Sequence, residues 1–274
     1  MLLSITRTTP IYAPTAHSGV FVQWDVSDVP ASGDLRFKLE RAESPQGPFE
    51  LVVNGLSDYH YFDGHVESQS SATEAQGHLS LQRHLYYRVT ATAGASYVTA
   101  VEAVGDRLPT RQRLLRKKIQ RDIAITFRVG SGVPFAVLKR RHWGTRCVAC
   151  FDKLTKSITN AKCLSCFGTG YLNGYHAPVR VSARKGTTNV QTQIAPQGRV
   201  ETNQIELTIL DYPLLAPDDL IVEVNTDRRY IIRHVTRTEL RGVPVHQKLV
   251  MSELARDSIE YSVQVGSGAT PTYY

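Results

Sequence analysis

A chain of 274 residues with 42% hydrophobic and 21% charged residues is long enough for two or three folded units and has the composition of an ordinary soluble globular protein. No apolar run approaches the roughly 18 residues a helix needs to cross a bilayer, so no membrane partner is expected. The net charge is +7 and unevenly placed: between Asp106 and Arg146 twelve Lys or Arg stand against two acids, a local +10 that leaves −3 for the remainder.

Residues 1–105 are predicted to form a small immunoglobulin-like β-sandwich. Val20, Val22, Trp24 and Val26 alternate with polar or opposite-face neighbours, as do Leu35, Phe37 and Leu39, and Leu85–Ala91 repeats the pattern. Strands with one apolar face need a second sheet to bury it. Ser44-Pro45-Gln46-Gly47-Pro48 is a turn leading to a strand over 49–53, and residues 67–77 read as a loop. Trp24, the run Leu39-Glu40-Arg41 followed by Ser44-Pro45-Gln46-Gly47-Pro48-Phe49, and Tyr87-Arg88-Val89-Thr90-Ala91 resemble a fibronectin type III domain. That resemblance implies a module that binds proteins or decorates a particle.

Residues 106–142 are predicted to be a basic helix and strand linker. Thr110 is placed to cap the helix; Leu114, Leu115, Ile119 and Ile123 form one stripe, and Arg113, Lys117 and Arg121 another at i, i+4 and i+8. Arg116 and Lys118 flank the cationic stripe, and Lys139, Arg140 and Arg141 follow on a neighbouring strand. These eight residues are candidate contacts for double-stranded DNA phosphates or an acidic protein, against the alternative of a merely solvated face. Phe127–Trp143 reads as two short strands about a Gly130-Ser131-Gly132 turn.

All four cysteines lie in residues 143–177, as Cys147-Val-Ala-Cys150 and Cys163-Leu-Ser-Cys166 with twelve residues between. Two residues between thiols let one tight turn aim both sulfurs at one tetrahedral ion, so the pairs predict a zinc ribbon. Gly168 and Gly170 suit a backbone that folds beneath the metal. Four thiolates leave no open coordination position, so the zinc is expected to be structural. Paired disulfides are not expected, since the opening Met-Leu-Leu-Ser-Ile-Thr-Arg lacks an apolar leader. A redox motif would use one Cys-x-x-Cys alone. The intervening loop carries Lys153, Lys156 and Lys162 but no histidine, unlike nucleases with a catalytic hairpin between such pairs.

Residues 178–265 hold six strand candidates (179–183, 205–209, 220–224, 230–235, 245–251 and 261–265) with turns at Gly186, Gly198, Pro217, Asn225 and Gly242. Closure into a small β-barrel would remove their exposed edges, giving a mainly β chain overall. Residues 266–274 read as a flexible tail. Pro217–Ile221, Arg229–Val235, Val243–Leu254 and Asp257–Tyr261 resemble the barrel of head-closure, or stopper, proteins in the neck of tailed bacteriophages. The resemblance implies a virion protein forming a homo-oligomeric ring, a hexamer or dodecamer, between portal or adaptor and tail-terminator or other neck proteins, with DNA passing through. In that arrangement the barrel forms the ring without residues 1–105.

No catalytic constellation is apparent: the nine histidines fall in no metal or nucleophile motif, and Asp218-Asp219 beside Pro217 reads as a turn. A non-enzyme is therefore expected. Two alternatives to the neck protein are a zinc-ribbon nucleic-acid-binding protein and a phage baseplate or adhesion component.

Overall fold

A computed structural model describes residues 3–13, 19–27, 29, 34–64, 85–104, 108–152, 154–195, 198–241 and 243–265. The predicted loop 67–77, the tail 266–274, Lys153 and Gly242 lie outside them. The chain is mainly β, with one α-helix among the described residues. Among those residues no helix is long and apolar enough to cross a membrane.

The N-terminal strands are β1 (Ser4–Ala13), β2 (Gly19–Ser27), β3 (Leu35–Ala42), β4 (Glu50–Leu56), β5 (His60–Asp63), β6 (Tyr86–Ala93) and β7 (Ser96–Ala103). They make two antiparallel sheets, ordered β1-β2-β5 and β4-β3-β6-β7. Val20, Val22 and Trp24 from one sheet and Phe37, Leu39 and Val89 from the other share one buried cluster. At the Ser44–Gly47 turn, the Gly47 N–H donates to the Ser44 carbonyl at 3.0 Å with φ +93°, a conformation that favours glycine.

Strand β2 departs from the expected one-sided pattern, because its second face is buried too. Phe21 joins the core of the C-terminal barrel, with its ring 5.6 Å from Tyr212, and Ile11 on β1 joins the same core. Gln23 meets the Leu214 backbone twice, accepting from its N–H at 2.9 Å and donating to its carbonyl at 3.2 Å. The N-terminal sheets and the barrel thus share side chains, and a boundary at residue 105 does not separate two cores.

The closed barrel has the order β11-β12-β15-β14-β13-β8, from β8 (Gly132–Leu138), β11 (Val179–Ala195), β12 (Gly198–Leu210), β13 (Leu220–Glu223), β14 (Arg228–Leu240) and β15 (Val243–Glu253). Val181, Leu207, Leu249, Ile232, Ile221 and Phe135 are among the side chains that fill it. Five of its strands coincide with the predicted ones, and the sixth is a correction. Residues 261–265 form no strand; Ile259–Ser262 is a single 3-10 turn, and β8, assigned above to the linker, closes the barrel between β11 and β13. The Arg229 guanidinium donates to the Val263 carbonyl at 2.8 Å and to the Glu260 carbonyl, occupying acceptors that a strand would offer to a ladder. Strand β8 matches the second of the two short strands expected over Phe127–Trp143, but it belongs to the barrel: Phe135 and Val137 face the barrel core, while Ala136 and Leu138 enter a smaller cluster with Tyr175, Leu220 and Val263.

Gly186 marks a bulge and not the predicted turn. The register slips between Lys185 and Thr188, and the strand runs on to Ala195. Beyond Arg184 on β11 and before Gln204 on β12, the two strands pair, among the described residues, with each other alone.

Helix α1 (Thr110–Ile125) begins after Pro109, which occupies the N-cap expected at Thr110. It runs into one π-helical turn, Thr126–Ser131, where the sequence suggested a strand. Ile123 and Ala124 pack against the barrel core and Phe127 is buried, so continuing the helix takes apolar side chains out of water. The turn closes so tightly that a Cβ on Gly132 would lie 1.8 Å from the Phe127 carbonyl oxygen.

Candidate metal centre and the charged surfaces around it

Each Cys-x-x-Cys forms a turn. The Phe151 N–H donates to the Cys147 carbonyl at 3.1 Å, and the Phe167 N–H to the Cys163 carbonyl at 2.7 Å. Behind the second pair, Gly168 and Gly170 have φ of +72° and +78°, and a Cβ on Gly168 would stand 2.7 Å from the Ala161 carbonyl oxygen. Backbone bonds then hold the two turns face to face: Cys147 N–H to Gly170 carbonyl at 3.0 Å, and Thr159 N–H to Cys150 carbonyl at 2.8 Å. A two-residue ladder of β9 (Phe151–Asp152) and β10 (Ser157–Ile158) spans the loop between them. Arg146 lies over the rings of Phe151 and Tyr171, at 4.5 and 4.1 Å from their centroids.

These turns bring Cys147, Cys150, Cys163 and Cys166 together, all buried, unbridged and with sulfurs within 4.8 Å of one another. A tetrahedral ion with metal–sulfur bonds of about 2.3 Å spaces its sulfurs roughly 3.8 Å apart. Cys147 and Cys163 Sγ are 3.7 Å apart, and Cys150 and Cys166 Sγ 3.1 Å, beyond disulfide length. The donor set therefore fits a metal ion. Hydrogen bonding from the Ser165 backbone pulls the Cys163 thiol down to about 7, as suits a thiolate ligand, while burial raises Cys166.

The predicted cationic contacts separate into two groups. Arg116 is buried; its guanidinium pairs with Asp211, itself inaccessible, and donates to the Pro244 carbonyl at 2.9 Å. Lys139 is also buried and donates to the Leu214 carbonyl at 3.4 Å. Arg140 pairs with Asp218 at 3.4 Å, and Arg141 donates to the Tyr175 carbonyl at 3.0 Å. As corrections to the sequence reading, Arg116 and Lys139 are internal, and Arg140 and Arg141 are already engaged within the fold. Lys117 is half-buried, Lys118 and Arg121 are exposed, and the side chain of Arg113 lies outside the described atoms. Leu114 and Leu115 are 49% and 48% exposed, so the predicted apolar seam of α1 is only partly used.

A junction that the sequence did not reveal lies beside the metal centre. His176 Nδ1 is 3.0 Å from Asp58, and its ring packs 4.8 Å from Tyr59 and 4.9 Å from Trp143. Trp143 in turn lies 5.4 Å from Phe37 in the N-terminal core. His60 stacks 5.1 Å from Phe21, and its Nδ1 is sealed from solvent without a partner among the described residues. Burial lowers both histidines, His60 to about 4. Asp219 has a comparable role on the barrel side: its carboxylate accepts from the Arg140 N–H at 2.8 Å and the Ala216 N–H at 2.9 Å, and burial raises it to about 6. The 217–219 segment is thus a turn whose second carboxylate ties the barrel to the strand entering the metal centre. Asp58 and His176 are too far apart in sequence to form a motif, which is why neither stood out.

No family model matches the chain, and no curated protein matches it either.

Proposed function

We propose that this chain is a structural virion protein of a tailed phage, a neck or head-to-tail connector subunit that assembles as a ring around the DNA channel. The observation that carries the reading is the coincidence of the stopper-like phrases with consecutive strands of one closed barrel: Leu220–Glu223, Arg228–Leu240 and Val243–Glu253 are β13, β14 and β15 in adjacent order. The sheet orders β1-β2-β5 and β4-β3-β6-β7 support a fibronectin type III-like sandwich at the N-terminus. The four-thiolate cluster supports a zinc ribbon whose metal is structural, since every tetrahedral position is filled by protein. The zinc would hold together a segment too short to own a core, contributing on the order of 10 kcal/mol at neutral pH.

The nucleic-acid-binding alternative loses support from the internal engagement of Arg116, Lys139, Arg140 and Arg141. Mass photometry of the full chain over a concentration series tests the assembly reading. A discrete ring-sized species is the expected result; a monomer at every concentration, with salt-sensitive affinity for duplex DNA, would replace it with the alternative.

A further inference from the structure

Helix α1 turns polar residues inward along with apolar ones: Ile123 and Ala124 pack on the barrel core, and Arg116 and Gln120 are buried too. Arg116 is drawn there by Asp211, and Phe127 is the buried residue of the π turn that follows. The outward face carries Leu114, Lys118, Arg121 and Ile125 at i, i+4, i+7 and i+11, a line about 16 Å long. Arg111 and Leu115 lie alongside, and Arg128 and Val129 extend the exposed surface into the π turn; Leu114, Leu115, Ile125 and Val129 are 49%, 48%, 49% and 80% exposed. Arg111, Lys118, Arg121 and Arg128 make no ion pair among the described residues. An apolar stripe turned to water, while Arg and Gln are buried beneath it, contradicts the local pattern of the helix. Such conflicts between local and global preference concentrate at functional surfaces.

We infer that this face docks an acidic amphipathic segment of a protein partner, whose apolar side chains seat between Leu114, Leu115 and Ile125 and whose carboxylates meet Arg111, Lys118 and Arg121. Duplex DNA fits the cations but gives the leucines nothing to pack against, because backbone contacts go to phosphate oxygens. A lipid surface calls for apolar and charged residues on opposite faces of a helix, whereas here they are interleaved on the single face that the barrel leaves free. An amphipathic partner helix anchors its apolar side chains at helical spacing, and here the exposed leucines offer that apolar contact with cations beside it for the partner's carboxylates. The inference rests on the assembly reading only for the partner's place in a particle; the surface can be tested separately from ring formation.

The test uses the full chain and a labelled synthetic helix with Leu at heptad a and d positions and Glu at e and g, read by fluorescence anisotropy. A matched peptide with Lys for Glu, duplex DNA and phosphatidylglycerol vesicles are run in parallel. The Glu peptide is expected to bind and the Lys peptide not. Leu114→Ser with Leu115→Ser, and separately Arg111→Ala with Lys118→Ala and Arg121→Ala, should each weaken binding at least tenfold. All five positions are exposed or half-exposed, and an unchanged unfolding midpoint confirms that the variants fold. No binding of the Glu peptide, binding that ignores both variants, DNA binding lost with the cations but kept without the leucines, or vesicle binding lost with the leucines would each overturn the proposal. Mass photometry of the same variants separates a failure here from a failure of the ring.

Discussion

His60 gives the junction between the N-terminal sheets and the barrel a pH dependence that can be worked out in advance. Burial between Phe21 and Tyr59 pushes it down to about 4, against about 6.5 in an unfolded chain. Asp58 opposes this shift and His176 adds to it, and burial lowers His176 as well. A base whose folded pKa is depressed stabilises the fold fully above pH 6.5 and loses that contribution as the pH falls towards 4, because the unfolded chain takes up the proton first. At 1.36 kcal/mol per pH unit the loss for His60 is about 3 kcal/mol, an upper bound because the ring edge keeps some access to water. The unmodified protein alone will not display it. Asp211 and Asp219, raised by burial to about 7 and about 6, bind protons in the folded state first and therefore gain stability over the same window. The measurement is a difference: urea unfolding of the parent and of His60→Phe, followed by fluorescence of the buried Trp24 and Trp143, at pH values from 7.5 to 4. Relative to the variant, the parent should lose about 3 kcal/mol across that range. A difference that stays flat with pH would refute the assignment of a neutral, sealed imidazole.

The remaining predictions follow from particular contacts. Cys163→Ser should abolish retention of the roughly one metal ion per chain expected for a four-thiolate site, measured by plasma mass spectrometry, and increase proteolysis within residues 143–177; a variant that retains its metal would remove Cys163 from the ligand set. Arg116→Met leaves the Asp211 carboxyl buried without its guanidinium and should cost about 3 kcal/mol in urea unfolding, whereas Arg121→Ala should fall within about 0.5 kcal/mol of the parent; equal effects would contradict the burial described for the helix. Gly132→Ala should cost at least about 2 kcal/mol, since the added methyl meets the Phe127 carbonyl, and a neutral result would mean that the π turn opens easily. Deleting residues 1–105 should leave the barrel aggregated or unfolded, because Ile11, Phe21 and Gln23 depart with them; a soluble, folded barrel would restore the independence expected from sequence.

What could be read in advance was whatever one segment specifies alone. The four cysteines declare their geometry through a two-residue spacing, because a turn that short has few ways to aim two sulfurs. Strands β3 and β6 declare themselves by alternation, since one face of each meets the opposing sheet and the other meets water. Strand β8 is legible as a strand but not as a member of the barrel, for the opposite reason. With Phe135 and Val137 turned to one apolar cluster and Ala136 and Leu138 to another, it has no polar face to produce a period. Strand β2 hid the same circumstance in Phe21, which alternation assigned to the wet side and the barrel claimed.

The charged residues show where the limit lies. Arg113, Lys117 and Arg121 fall at i, i+4 and i+8 of the helix Thr110–Ile125, but which side of a helix faces inward is decided by what it packs against. For α1 that was Asp211, ninety-five positions downstream of Arg116. A buried carboxylate has a large desolvation cost, and a guanidinium that can reach it offsets much of that cost. The pairing therefore turned a cation inward and carried Leu114 and Leu115 out to solvent, against the preference of the segment taken alone. Asp58 with His176, and Asp219 with the Arg140 backbone, follow the same rule: each is one half of a contact whose other half lies on another element. A net charge of +10 counted along residues 106–146 consequently overstates the cationic surface, because Arg116 and Lys139 are spent inside the fold. The cations left outside stand among exposed leucines, and that company favours a protein partner over a nucleic acid.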